Sequence, residues 1–291
     1  MNDKIMVSIC CLAYNHEKYI RDALESFLNQ KTDFRYEVLI HDDASTDNTV
    51  KIIKEYEKKY PDIIRPIYQK ENQHSKGVKI SATIQYPRAR GKYIAMCEGD
   101  DFWLDSSKLQ KQVDYLENNP NCSLIVHASK NVTVNKEDIG INKAFEQECD
   151  VSTEEIINGG GALFATNSMI FKTEFTKTFP SFYLNAHIGD YPLTIYLSLC
   201  GKVHYIPDIM SAYRQGVPGS WSEKERNSMV QSLKNTEKMI ELYENLDKDT
   251  NEKYHLVIEE NKKQFQTVLK KKKIILKYPK LYKIYRKIFR S

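Results

Sequence analysis

Residues 98–103 read EGDDFW, which puts Glu98, Asp100 and Asp101 within four positions. Like charges this close repel one another and burden whatever fold carries them. Such a cluster suits a hard divalent cation, Mn²⁺ or Mg²⁺, which one or two carboxylates hold while a diphosphate supplies further oxygens. The cation would offset charge developing on a departing phosphate. The plain alternative is a solvated acidic turn that leads into a helix capped by Asp105 or Ser106, with Phe102 and Trp103 serving the core. Two further carboxylates are open in the same way. Asp43 follows an apolar run in EVLIHDDAS, where it could accept a hydrogen bond from a nucleobase N–H framed by Tyr14 and Asn15. Aspartates in such turns are also ordinary structural residues. Asp190 lies in HIGDYPL, two residues before Pro192. Spacing alone favours a helix N-cap there, although a carboxylate at a helix entrance can also take a proton from a substrate hydroxyl.

The elements that must position these residues alternate. KIMVSICCLAY is a continuous apolar run, as expected of a strand buried on both faces. Tyr19, Ile20, Ala23, Leu24, Phe27 and Leu28 recur at the spacing of one helix face. EVLIHDD predicts a second strand, TVKIIKEYEKKY a helix capped by Thr46 or Asp47, IIRPIYQ a third strand, SATIQYPRAR a helix, and KYIAMCE a fourth strand. Strand and helix in alternation predict parallel strands covered on both sides, with ligands at the strands' carboxyl ends. Tyr14 and Asn15, Asp42 and Asp43, and Glu98, Asp100 and Asp101 all end such strands, so topology alone places them on one rim. Farther on, DSSKLQKQVDYLENNP predicts a capped helix, CSLIVHASKNVTV a strand, residues 135–160 an irregular stretch, and KVHYIPDIMSAYR a strand pair. Gly159, Gly160 and Gly161 leave backbone open to a neighbour or a ligand. From Trp221 onward the chain reads as charged helix.

With 291 residues, 41% hydrophobic and 28% charged, the chain has the composition of a soluble globular protein with a sizeable core. A net charge of +4 does not by itself call for nucleic acid. Six cysteines without a Cys-x-x-Cys pair, and an N-terminus without a secretory pattern, read as reduced thiols of a cytosolic protein. No apolar run is long enough to cross a bilayer.

Taken in order, VSICCLAYNHEKYIRDALESFLNQ, EVLIHDDASTDNTVKIIKEY and ARGKYIAMCEGDDFWLDSSKLQKQVDYLENNP, and more loosely GGALFATNSMIF and HIGDYPL, resemble the family-2 glycosyltransferases of the GT-A fold. The resemblance covers roughly residues 5–215. It implies an α/β fold with a mixed sheet flanked by helices: a catalytic domain at 1–220 and a helical, basic extension at 221–291. It further implies a metal-dependent, inverting enzyme that takes one sugar from a nucleotide-diphospho-sugar, UDP-linked by expectation, to a hydroxyl of a saccharide or lipid-linked acceptor in surface polysaccharide synthesis. By that likeness Tyr14, Asn15, Asp43 and Asp100 bind the donor, Asp101 holds the divalent cation, and Asp190 is the base. That last role displaces the cap that spacing favoured. The Gln-x-x-Arg-Trp motif of polymerising relatives is absent, which argues for single-sugar addition. Many relatives carry a His shortly after a Tyr-Arg, but here AYRQGVPGSWS has Gln215 and Gly216, leaving His187 and His204 as possible stand-ins.

Beyond Glu260 no acidic residue occurs, and Ile274, Tyr278, Leu281, Tyr285 and Ile288 recur between lysines and arginines, with Pro279 expected to split the stretch into two helices. This tail suits either packing on the catalytic domain or an anionic membrane surface, where each basic residue contributes about 1 kcal/mol. The expectation is a cytoplasmic enzyme, peripheral at the inner membrane face, free of nucleic acid and compatible with an oligomer. Two rivals remain. A sugar-1-phosphate nucleotidyltransferase would need a Gly-rich basic loop where this chain has YNHEKYI, and an inactive binding module would be recruited through the tail.

Overall fold

A computed structural model describes residues 4–220, 223 and 228–278, and the expected tail beyond 278 lies outside them. The first strand, β1 (Ile5–Ala13), leads to α1 (Ile20–Leu28), β2 (Arg35–Asp42), α2 (Thr49–Lys59), β3 (Ile64–Tyr68) and β4 (Tyr93–Met96). β2, β3 and β4 run parallel to their neighbours, in spatial order β3-β2-β1-β4. Continuous apolar character buries β1 on both faces: Val7, Ile9 and Cys11 pack with Ile20, Leu24 and Phe27 of α1 and with Ile53 of α2. The opposite-facing Cys10 is also buried, and all six cysteines are free. Where the sequence predicted a helix over SATIQYPRAR, the chain makes a π-helical turn (Ser81–Gln85) and a 3₁₀ turn (Tyr86–Arg88). Pro87 lacks the amide that an α-helix would need, and the buried Gln85 side chain donates to the Cys11 and Leu39 carbonyls.

Beyond β4 the sheet becomes mixed. β5 (Phe102–Trp103), α3 (Lys108–Asn118), β6 (Cys122–Val132), β7 (Asp138–Asn142), β8 (Cys149–Val151), α4 (Thr153–Gly159), β9 (Ile170–Lys172), α6 (Asp190–Cys200) and β10 (Lys202–Arg214) follow, with α5 (Ser181–Asn185) between β9 and α6. β9 is antiparallel to both β4 and β6, β10 is parallel to β6, and β5 is antiparallel to β10. Residues 135–160 are more ordered than composition suggests. β7 and β8 lie there, and Ser152 and Glu155 close a reciprocal capping box on α4. KVHYIPDIMSAYR is one strand rather than two. It absorbs its irregularity, around Pro207, as shifts of register against β6.

The chain divides into two compact units: residues 1–179 with 189–215, and residues 180–188 with 216–291. The second holds α5 and two long helices, α7 (Met229–Asp249) and α8 (His255–Lys277). Asp249 accepts from the Ser181 hydroxyl and the Phe182 amide, both at 2.8 Å, which fastens α5 to the end of α7. Among the described residues no helix is long and apolar enough to cross a membrane.

Candidate active site

The acidic loop leaves β4 and is fixed from three sides. Gly99 comes so close to the first β1–α1 turn that a Cβ there would lie 2.9 Å from His16 Nδ1 and from Ile20 Cδ1. Next, β5 pairs with β10 in the register Phe102 to Ala212, which brings the carboxylate of Asp101 to the end of β10. Its Oδ1 accepts the Arg214 amide at 2.8 Å and its Oδ2 accepts Asn167 Nδ2 at 2.9 Å. Asn167 is itself buried, donating to the Ala212 carbonyl and accepting from Ser211 Oγ at 2.6 Å. The Arg214 guanidinium donates to the Asp100 carbonyl and to Asp22 Oδ2 (2.7 Å for the latter), between the rings of Tyr19 and Phe102. The loop is thus clamped by its own backbone, by Asn167 and by Arg214.

Two aspartates adjacent in sequence therefore meet different surroundings. Asp101 is buried with both oxygens engaged, and desolvation, then the Asp100 charge, push its carboxyl well above the usual range. Asp100 is partly exposed, with Oδ2 3.8 Å from His16 Nε2. Glu98 also opens to solvent, although the concavity around it and the charges of Asp100 and then Asp190 raise its pKa to about 8. Solvent at the mouth screens that rise, so it bears on protonation and not on stability. The charge of Asp190 also acts on Glu98, so the start of α6 lies near this loop.

Asp190 is the first helical residue of α6, and Gly189 occupies the cap position. Its Oδ2 accepts Thr166 Oγ1 at 3.3 Å. Beside it a narrow hollow is lined by Gly160, Gly161, Phe164, Met169 and Tyr191, whereas Gly159 lies outside it, where a Cβ would meet the Leu163 side chain at 2.7 Å.

The remaining rim residues adjoin β1 and β2. Tyr14 is 42% exposed, while Asn15 adopts a left-handed φ of 55° and accepts the Thr46 amide at 2.8 Å. Asp43 is buried: Oδ1 accepts the Gln73 amide at 2.7 Å and Oδ2 the His74 amide at 3.0 Å. The cap of α2, expected at Thr46 or Asp47, is Asn48, while Asp47 accepts the Thr49 amide from one position before it. His204 lies ten residues before Arg214 on β10, roughly 30 Å along a strand. It is bound there by Tyr115, Asp150 and Glu148 and is not a stand-in for a rim histidine. His187 belongs to the second unit. Sequence reasoning missed His16, Asn167 and Arg214. Only His16 gave a local signal, through its place in the YNH turn.

A cation fits this donor set. The mouth offers carboxylate oxygens, which suit hard divalent ions. Among the described residues it does not gather three ligand atoms within 4.8 Å of one another, so a cation there would need further oxygens from a substrate.

Comparison with known proteins agrees with this architecture. The family model described as "Glycosyl transferase family 2" matches residues 8–175. An uncharacterized protein of Mycobacterium tuberculosis is 35% identical over 218 residues, covering 74% of this chain and 60% of its own length. The chain thus spans less than two thirds of that relative. Among solved structures, S. aureus TarS 1–349 in complex with UDP-GlcNAc superposes with a TM-score of 0.64 at 19% identity, covering 92% of this chain and 72% of TarS 1–349. The mannosyltransferase PcManGT from Pyrobaculum calidifontis, in complex with GDP-Man and Mn²⁺, gives 0.58 at 17% identity, covering 85% and 66%. At these identities the two structures speak for the fold, which is the GT-A arrangement of a mixed sheet flanked by helices.

Proposed function

Since the chain belongs to glycosyl transferase family 2, we propose that it is a glycosyltransferase that moves one sugar, with inversion, from a nucleotide-diphospho-sugar to a hydroxyl of a saccharide or lipid-linked acceptor in surface polysaccharide synthesis. The observation that carries this reading is that the adjacent residues Thr166 and Asn167 donate to Asp190 and to Asp101, which sets the start of α6 beside the acidic loop. In this proposal Asp190 takes the proton of the acceptor hydroxyl as that oxygen attacks the anomeric carbon, whose bond to the nucleoside diphosphate breaks as the diphosphate leaves. Thr166 orients its carboxylate, and the acceptor enters over the open backbone of Gly160 and Gly161. Tyr14, Asn15 and Asp43 frame the nucleoside.

The sequence put the metal on Asp101. Its two hydrogen bonds and its burial favour a different division of labour, with Asp100 as the cation's carboxylate and Asp101 as the buried post that positions the loop. A divalent cation held at Asp100 would supply charge compensation for the diphosphate. TarS holds UDP-GlcNAc and PcManGT holds GDP-Man with Mn²⁺, so UDP- and GDP-sugars with Mn²⁺ are the first donors to test.

We assign catalysis to residues up to about 220 and membrane contact to the extension beyond. At the end of α8 and just after it, Ile274, Leu276 and Tyr278 are exposed among Lys270, Lys271, Lys273 and Lys277, which supports docking on an anionic surface at the cytoplasmic face.

The test is a screen of nucleotide-sugars with Mn²⁺, read by thermal stabilisation and by donor hydrolysis. Asp190→Asn is expected to keep donor binding while turnover falls about 10²–10⁴-fold. Asp100→Asn is expected to lose the metal-dependent part of the stabilisation. If no nucleotide-sugar stabilises the protein with metal present, or if both variants turn over donor like the wild type, the proposal fails.

A further inference from the structure

The helical unit carries a group of side chains that the transferase site does not use. Between α7 and α8 the chain turns through Asn251 and Glu252, both at left-handed φ, 49° and 61°. Side chains with a Cβ adopt that region only at a cost. The turn returns His255 onto Asp247, with Nδ1 2.7 Å from Oδ2. Glu259 follows His255 by four residues and so shares its face of α8. One ligand atom from each of Asp247, His255 and Glu259 lies within 4.8 Å of the other two, the three-residue grouping of this kind found among the described residues.

Three features point beyond an ordinary histidine–aspartate pair. Asp247 Oδ1 is buried and meets no hydrogen-bond donor among the described residues, a costly state for a carboxylate oxygen unless something else meets it. The local charge is also unbalanced. Asp247, Glu259 and Glu244 bring three negative charges, and Lys262, 2.7 Å from Glu259 and 3.9 Å from Glu244, offsets one. Finally, access is graded: the Asp247 side chain is 15% exposed and His255 49%, so an ion could enter from solvent past the imidazole.

We propose that Asp247, His255 and Glu259 form a binding site for a divalent transition-metal ion, zinc foremost, that clips the α7–α8 hairpin. One imidazole nitrogen with two carboxylate oxygens is a donor set zinc accepts, whereas an all-oxygen group would suit Mg²⁺. Protons compete with the ion for the imidazole and the two carboxylates, so binding weakens as pH falls. Lys262 keeps one oxygen of Glu259, leaving the other for the ion.

The experiment is calorimetric titration of the metal-free full chain with Zn²⁺, repeated with His255→Ala and Glu259→Gln, together with the visible absorption of added Co²⁺. The wild type is expected to take up one equivalent more Zn²⁺ than His255→Ala, and Glu259→Gln to bind that equivalent at least about tenfold more weakly. Melting temperature should rise with Zn²⁺ in the wild type and not in His255→Ala. Mn²⁺-supported donor turnover should be the same in both, which separates this site from the acidic mouth. All six thiols remain in the variants, so any zinc they take cancels in the comparison. Superimposable isotherms for wild type and His255→Ala, or a Co²⁺ spectrum indifferent to the substitution, overturn the proposal. Should His255→Ala fail to fold by circular dichroism, the milder Glu259→Gln decides by the same criterion.

Discussion

Lys108, the first residue of α3, is 0% exposed, and its ammonium lies 4.2 Å from the centre of the Trp103 ring with one hydrogen bond, 2.8 Å, to Gln112 Oε1. Burial lowers its pKa to about 7, against weaker upward pulls from Cys97 and Asp105. The sign of the consequence follows from proton counting. Between about 7 and the ordinary 10.5 the unfolded chain holds a proton that the folded chain has lost, so stability rises with pH across that interval. At about 1.36 kcal/mol per pH unit the whole interval is worth about 5 kcal/mol, of which about 2–3 kcal/mol falls between pH 7 and pH 9. Lys108→Met keeps the aliphatic stem and removes the titration, while Gln112 Oε1 loses its donor at a cost of about 1–3 kcal/mol. The assay is urea unfolding by tryptophan emission at pH 6, 7, 8 and 9 for both proteins. Stability of the wild type minus that of Lys108→Met is expected to climb by about 2–3 kcal/mol from pH 6 to pH 9. Other groups that titrate in this range, Glu98 included, cancel in the difference. Parallel profiles would refute the reasoning, because they would mean that the amine keeps the same charge in both states.

Two other substitutions probe the frame of the mouth. Asn167→Ala strips the Nδ2 donor from Asp101 and Ala212 and the acceptor from Ser211. It should cost about 3 kcal/mol in thermal or urea unfolding, well beyond the exposed control Asn118→Ala, and should weaken metal-supported donor binding. Glu37→Gln at the opposite end of β2 removes the buried charge that Arg90 and Ser8 meet at 2.9 and 2.7 Å. Because Arg90 is half exposed and can rehydrate, the expected loss is about 2–3 kcal/mol by urea unfolding, with donor affinity unchanged.

What could be read in the sequence was what depends on neighbours along the chain. Strand ends following apolar runs placed Tyr14, Asp43 and Glu98 on one rim, because parallel strands must all end on the same side. The capping box of α4 was equally local, and Ser152 with Glu155 spelled it out, yet the polarity of residues 135–160 hid it. The difference in surroundings between Asp100 and Asp101 was of another kind. Two carboxylates that look alike in sequence are told apart by an amide 113 residues away, that of Arg214, and by Asn167, 66 residues away. Neither contact exists until β10 forms as one continuous strand and pairs with β5. The split of KVHYIPDIMSAYR into two strands, reasonable from its proline, therefore concealed the clamp as well as the strand. Once β10 is continuous, Arg214 has one place to go. Its backbone must close on Asp101, and its guanidinium, excluded from water between Tyr19 and Phe102, must find the Asp100 carbonyl and Asp22. The clamp turns one carboxylate inward and leaves the other at the mouth. The chemistry of the acidic loop is thus set as much by the last residue of β10 as by the loop itself.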